Sequence, residues 1–156
     1  MDKKSNNLIL IVDDREDDQL MLEGILHGIG VGNPILRLPN GHEAMRYLNG
    51  DAPYNNRINF AMPAVIFLDL KMPIVSGWEV LDWLHGLSMK GSMLVFIYSE
   101  LQGVEDVKRL YRLGADSFLA KPLKEIDVYN LLYHFPRVWE FKVPSNAGPF
   151  SEAKRQ

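Results

Sequence analysis

Short apolar runs alternate along this chain with segments whose apolar residues recur every three or four positions. Leu8–Val12 (LILIV), Ile35–Leu38, Ala64–Asp69, Leu94–Tyr98 (LVFIY) and Ser117–Ala120 are the short runs and read as strands one to five. Between them, Asp17–Ile29 carries Leu20, Met21, Leu22, Ile25, Leu26 and Ile29 on a helical face, and Gly28, Gly30 and Gly32 end it. Gly41–Leu48 is a second helix with Ala44, Tyr47 and Leu48 inward, and Trp78–His85 a third with Val80, Leu81 and Leu84 inward. Val104, Val107, Leu110, Tyr111 and Leu113 mark a fourth helix closed by Gly114; the fifth runs from Lys124 to Phe135, where Pro136 stops or kinks it. Asn49–Pro63, polar and holding Pro53, Pro63 and four asparagines, is a long loop or an extended helix end. Strands alternating with helices predict an α/β fold: a doubly wound, five-stranded parallel sheet with helices on both faces.

Composition narrows the class. The 156 residues suffice for one domain with a substantial core. Hydrophobic residues make up 47% and charged residues 24%, as in ordinary globular proteins, and a net charge of -3 gives no reason to expect nucleic acid or an anionic membrane as partner. Without cysteine, disulfides, thiolate metal sites and cysteine nucleophiles are excluded. No stretch approaches the roughly 18 apolar residues of a membrane span, and Met1–Val12 lacks the h-region of a secretory signal, so a cytoplasmic protein is expected. The sequence turns polar after Lys142, which divides the chain into a folded domain, residues 1–142, and a flexible tail, residues 143–156.

The strand ends carry the chemistry. Parallel strands deliver their C-terminal ends to one edge of the sheet, where ligands bind in open α/β folds. Strand one ends in Asp13-Asp14, strand three in Asp69, strand four in Ser99 and strand five in Lys121-Pro122. Crowded carboxylates repel unless a cation lies among them, and oxygen ligands without His or Cys suit Mg²⁺. Asp69 is then placed as a nucleophile toward phosphorus, with Ser99 donating to one phosphate oxygen and Lys121 pairing with another. Read singly, Asp13 and Asp14 would cap the first helix, Ser99 would be a cap and Phe118 plain core. Joint coincidence of all these positions favours function.

IVDD at strand one, LDLKMP followed by Gly77, IYS at strand four and GADSFLAKP at strand five, in this order and spacing, resemble the receiver domain of two-component response regulators over Leu8 to about Phe135. The long Asn49–Pro63 connection is similar to single-domain regulators paired with bacterial phytochrome kinases. The resemblance implies strand order 2-1-3-4-5 and Mg²⁺ as cofactor. It implies Asp69 as phosphoacceptor, Asp14 as a direct metal ligand, Asp13 as a ligand mainly through water, and the backbone carbonyl of Lys71 as a third protein ligand. Ser99 becomes the switch hydroxyl, Phe118 the aromatic rotor that follows it, and Lys121 the phosphoryl-binding ammonium, with a cis Lys121–Pro122 bond. The implied partners are a sensor histidine kinase or phosphotransfer protein and a downstream protein target, and relatives often form dimers through the face of helix four, strand five and helix five.

Glu100 departs from the family pattern, which places a small residue after the switch serine. It would slow donor attack or hydrolysis, or swing to solvent, and Lys71 is within reach to pair with it. A Mg²⁺-dependent phosphatase of the haloacid dehalogenase type also uses a strand-end aspartate, but needs a second aspartate two residues on, where this chain has Lys71. A degenerate receiver that binds partners without phosphate is the remaining alternative. The four histidines read as surface residues, Trp78 and Trp83 as packing on helix three, and the methionines as gap-fillers. Tyr133, Phe135, Trp139 and Phe141 are apolar for a chain end and either dock back on the domain or form a dimer surface.

Overall fold

The computed structural model describes residues 7–87, 92–100 and 103–142. In chain order it contains β1 (Ile9–Val12), α1 (Glu16–Ile29), β2 (Ile35–Leu38), α2 (Gly41–Asn49), β3 (Val65–Leu68), α3 (Gly77–Gly86), β4 (Leu94–Ser99), α4 (Val104–Arg112), β5 (Ser117–Ala120) and α5 (Glu125–His134). The strands form one parallel sheet in the order β2-β1-β3-β4-β5, as the resemblance implied. The flexible tail expected at 143–156 lies outside the described residues.

Strand alternation sorts the apolar runs into two cores. Leu10, Val12, Ile66, Leu68, Val95 and Ile97 face α2, α3 and α4 and meet Tyr47, Val80, Leu81, Leu84 and Leu110. Ile9, Ile11, Val65, Phe67, Phe96 and Tyr98 face α1 and α5 and meet Leu22, Leu26, Val128 and Leu132. Every residue of β1 and β3 is therefore buried, which explains their uninterrupted hydrophobicity.

Two predicted helix faces need correction. On α1 the core takes Leu22, Leu26 and Ile29, while Leu20 and Met21 are about half exposed. At ~100° per residue these two project well over 100° away from Leu26. Their inward place goes to Gln19, whose side-chain amide donates to the Asp13 and Leu38 carbonyls at 2.8 Å each and ties the ends of β1 and β2 together. On α4 only Leu110 is fully buried; Val104 is 70% exposed and Tyr111 47%. Val107 and Leu113, half-buried, flank Leu110 on the inward line, and the other two lie off it. The four histidines are exposed, and Trp78 and Trp83 are half-buried, as read from the sequence.

The connection after α2 is a loop, not a helix extension, and it is ordered by its own side chains. Tyr54 and Phe60 pack on Tyr47 at 5.1 and 6.2 Å between ring centres. Arg57 donates to the carbonyls of Leu48 at 3.0 Å and Phe60 at 3.2 Å, and the Tyr54 hydroxyl donates to Glu43 at 2.6 Å. That last bond is the main reason the Glu43 carboxyl is held below its ordinary pKa and the Tyr54 phenol above its own.

The C-terminal aromatic segment docks back on its own domain. Phe141 forms an antiparallel bridge with Val31, and the Lys142 amide donates to the Gly30 carbonyl at 2.9 Å. Asn33, 3% exposed, joins the segment before β1 to the segment after α5: its amide donates to the Asn7 and Val138 carbonyls at 2.7 and 2.8 Å, and its oxygen accepts from the Glu140 amide at 2.6 Å. Trp139 thereby enters the α1–α5 core, 6.4 Å from the Phe67 ring and 6.2 Å from Phe96. Phe135 packs on Phe96 at 5.0 Å, and Tyr133 is left 66% exposed. Trp139→Ala should cost about 3 kcal/mol of unfolding free energy in a urea titration, the toll of removing a buried aromatic side chain; a loss under ~1 kcal/mol would mean the segment is not part of the folded core.

Candidate functional site

Sheet register assembles the site. Val12 pairs with Leu68, and Leu68 with Ile97, so Asp13, Asp69 and Tyr98 stand at one level on three adjacent strands. Ser99 pairs with Ala120, and the Lys121 amide donates to the Ser99 carbonyl at 3.1 Å, which carries the lysine to the same edge. The Asp69 amide donates to the Val12 carbonyl at 3.0 Å, so Asp69 continues the ladder one residue past β3. The strand-end aspartate does not escape to water: Asp69 is 3% exposed and Asp13 1%.

The β3–α3 turn closes tightly over Asp69. The Gly77 amide donates to the Leu70 carbonyl at 2.9 Å, and a β-carbon on Gly77 would lie 2.0 Å from the Asp69 carbonyl oxygen. No side chain fits there, which accounts for a glycine eight residues past the aspartate. Ser76 and Glu79 form a capping box that starts α3 at this point.

Lys121 is the cation inside this edge. Its Nζ lies 2.8 Å from Asp13 Oδ2, 2.9 Å from Asp18 Oδ2 and 3.5 Å from Asp69 Oδ2, and it sits 4.8 Å over the centre of the Tyr98 ring. Burial by itself depresses the ammonium, but the bonds to Asp13 and Asp18 and the charge of Asp69 outweigh it, and its pKa is raised. Asp69 is pushed above the ordinary carboxylate range, first by burial and further by Asp13; Ser99, Lys121 and the Lys71 amide, 3.4 Å from Oδ1, oppose the shift in part. The Tyr98 phenol is raised by burial and by the Asp13 and Asp69 carboxylates. The bland capping role for Asp13 and Asp14 fails: the α1 cap position is Arg15, without a side-chain cap. Asp13 instead takes the Arg15 amide at 3.0 Å on one oxygen and Lys121 on the other.

A cavity of about 200 Å³ opens over these groups, lined by Asp14, Asp69, Ser99, Glu100, Lys121 and Asp18 among others. Larger hollows lie elsewhere, along β5 and α5 and at the opposite end of the sheet, and hold none of this chemistry. Ser99 is fully buried and its hydroxyl has no well-aligned hydrogen-bond partner among the described residues. Phe118 is half-buried, 6.4 Å from the Tyr111 ring. Lys121–Pro122 is cis, as the resemblance implied; Ala52–Pro53 is also cis, which nothing in the sequence signalled. Glu100 is exposed at the rim, with Lys71 Nζ 4.0 Å away.

The profile of the response regulator receiver domain family matches residues 9–133. The chain belongs to this family. Among curated relatives, the probable methanogenesis regulatory protein FilR2 of Methanothrix harundinacea is 24% identical over 132 residues, which are 85% of this chain and 83% of that one. The nitrate/nitrite response regulator NarL of Escherichia coli is 38% identical over 71 residues, and the match spans only about a third of its length. Among solved structures, the bacteriophytochrome response regulator AtBRR is 29% identical with a TM-score of 0.74, covering 88% of this chain and 98% of that one. The bacteriophytochrome response regulator RtBRR is 28% identical with a TM-score of 0.71, covering 95% of this chain and 87% of that one.

The receiver's acidic pocket is of the kind that serves as a phosphorylation site. Carboxylate oxygens of Asp13, Asp14 and Asp69 all lie within 4.8 Å of one another. With Asp18 these acids outnumber Lys121 and Arg15, while Lys71 and Glu100 offset each other at the rim. An all-oxygen, net-negative cluster with one exposed member, Asp14, fits a hard divalent cation such as Mg²⁺ that keeps part of its water shell.

Three contributors escaped the sequence reading. Asp18 sits in an acidic first turn with Glu16 and Asp17, a pattern that reads as dipole compensation on any helix. Gln19 carried no signal in the sequence, and Tyr98 stood out only as part of the fourth strand and its IYS motif.

Because the folded receiver disfavours charge on Asp69, Asp69→Asn should raise the melting temperature of metal-free protein at pH 7 by ~2–4 °C. The folded pKa is the raised one, so the penalty is complete above it and disappears as the pH falls through it toward the unfolded value of 3.8. The mutant's advantage should therefore shrink on acidification; a constant or growing gap in melting scans from pH 7 to pH 4 contradicts this account.

Proposed function

We propose that this receiver accepts a phosphoryl group on Asp69 from the phosphohistidine of a sensor kinase or phosphotransfer protein. The observation that carries the proposal is the buried Ser99 hydroxyl, without a well-aligned partner among the described residues, in a pocket where Lys121 stands 3.5 Å from the Asp69 carboxylate. An unmet buried hydroxyl costs free energy that a phosphoryl oxygen would recover. In the transfer, an Asp69 carboxylate oxygen forms the new P–O bond while the P–N bond breaks, its electron pair staying on the donor imidazole. Mg²⁺, held by Asp14 and Asp69, by Asp13 largely through water and by the Lys71 carbonyl, would neutralise charge on the phosphoryl oxygens. Lys121 holds another oxygen, and Ser99 donates to a third.

Satisfying Ser99 draws it toward Asp69 and leaves room for Phe118, half-buried in the resting state, to turn inward. That shifts the population of the α4–β5–α5 face, which a protein target or a second copy would read. The likeness to AtBRR and RtBRR supports a response regulator that works with a phytochrome-type kinase. No helix among the described residues is long and apolar enough to cross a membrane, in keeping with a cytoplasmic partner. A hydrolytic phosphatase is disfavoured because the position two residues past Asp69 is Lys71, exposed and facing Glu100 rather than offering an acid.

Calorimetric titration with beryllium fluoride, a phosphoryl mimic, should give saturable, Mg²⁺-dependent binding that Asp69→Asn abolishes. Amide shifts at Ser99 and Phe118 should accompany it. Wild-type protein that binds no beryllofluoride would be a degenerate receiver instead. Glu100→Ala should speed phosphorylation by a small acyl phosphate roughly two- to fivefold, since it removes a negative charge at the donor's entrance; an unchanged rate means that Glu100 stays clear of the donor.

A further inference from the structure

We propose that Asp18 is a positioning residue whose task is to hold Lys121 off the metal carboxylates. The inference rests on the reading of the Asp13, Asp14 and Asp69 cluster as a divalent-cation site. An ammonium has three N–H donors. Asp13 at 2.8 Å and Asp18 at 2.9 Å each take one at charge-assisted hydrogen-bond distance, whereas Asp69 at 3.5 Å does not. The lysine is thus anchored on the α1 side of the pocket, with its third N–H left for the Asp69 side.

The two anchors are not equivalent. Asp13 belongs to the group of carboxylates whose oxygens lie within 4.8 Å of one another and can share a cation; Asp18 does not. A cation entering that group draws on the charge of Asp13, and Lys121 then needs another partner or it repels the ion. Asp18 supplies that partner from the first turn of α1, and Arg15 Nε, 3.5 Å from the same Oδ2, holds the carboxylate in place. The Tyr98 ring lies under the ammonium and limits its retreat into the core. Without the Asp18 charge, Lys121 falls back on Asp13 and Asp69 and competes with the cation for both.

Mg²⁺ affinity measured by calorimetry tests this directly. Asp18→Asn should weaken Mg²⁺ binding roughly fivefold, and Asp17→Asn, which removes the same charge from the same turn without touching Lys121, should change it much less. The deciding measurement is Asp18→Asn in a Lys121→Met background. If Asp18 acts through the lysine, the weakening disappears there. An equal loss with and without Lys121 would make Asp18 a direct contributor to the cation's field and overturn the assignment. So would an unchanged affinity in the single mutant, or a wild type that binds no Mg²⁺. Circular dichroism melts confirm that each variant is folded. Wild-type protein that binds Mg²⁺ but not beryllofluoride would remove the phosphoryl-acceptor reading and leave the role of Asp18 standing.

Discussion

One buried ammonium governs the working edge of this molecule. Lys121 touches carboxylates from β1, from the first turn of α1 and from the end of β3, and it lies over an aromatic ring from β4. Removing water from several carboxylates at once is costly, and each is tolerable only because an opposite charge is fixed among them. The compensation is incomplete. Asp69 retains a raised pKa although Ser99, Lys121 and the Lys71 amide oppose the shift, and the pocket keeps a negative surplus. Under the proposed function, such a site gains from a cation and from a phosphoryl group whose oxygens Lys121 and Ser99 would meet.

The scaffold makes that poise possible. Charges this close are held apart by rigid neighbours or they rearrange. Here the backbone ladder sets Asp13 and Asp69 side by side, Gln19 locks the ends of β1 and β2, and Gly77 admits the turn that closes over Asp69. The remote end contributes as well. Asn33 and Trp139 tie the C-terminal segment to the α1–α5 core. Among the described residues, the groups least tied down at this edge are the Ser99 hydroxyl, which has no well-aligned partner, the half-buried Phe118 and charged side chains at the rim. Movement of the first two is what the proposed switch requires.

Much of this architecture could be read from the chain alone, for definite reasons. Uninterrupted apolar runs announced strands buried on both faces, and regular alternation with helical patterns implied a parallel sheet, whose strand ends share one edge. That topology alone brought Asp13, Asp14, Asp69, Ser99 and Lys121 together, because their distance along the chain is cancelled by register. The resemblance to receivers added the strand order and the cis proline. Where periodicity erred, as at Leu20, Met21, Val104 and Tyr111, the apolar pattern was wider than the stripe each helix buries; hydrophobicity permits burial but does not compel it.

Other features became visible only in three dimensions. Asp18 is one acid among three in a helical turn, and nothing local separates it from Asp17; the approach of Lys121 from β5 does. Trp139 and Phe141 were ambiguous between docking and association, and the segment's return to Val31 and Asn33 decided it. The burial of Asp69 is the sharpest case. The sequence determined that an aspartate follows an apolar strand, which is compatible with full exposure. Only packing of β1, β4 and the β3–α3 turn around it decided that it is buried, and that burial, with Asp13 beside it, disfavours its charge more than Lys121 restores it. Electrostatic environment is set by groups distant in the chain and close in space, so it belongs to the tertiary structure.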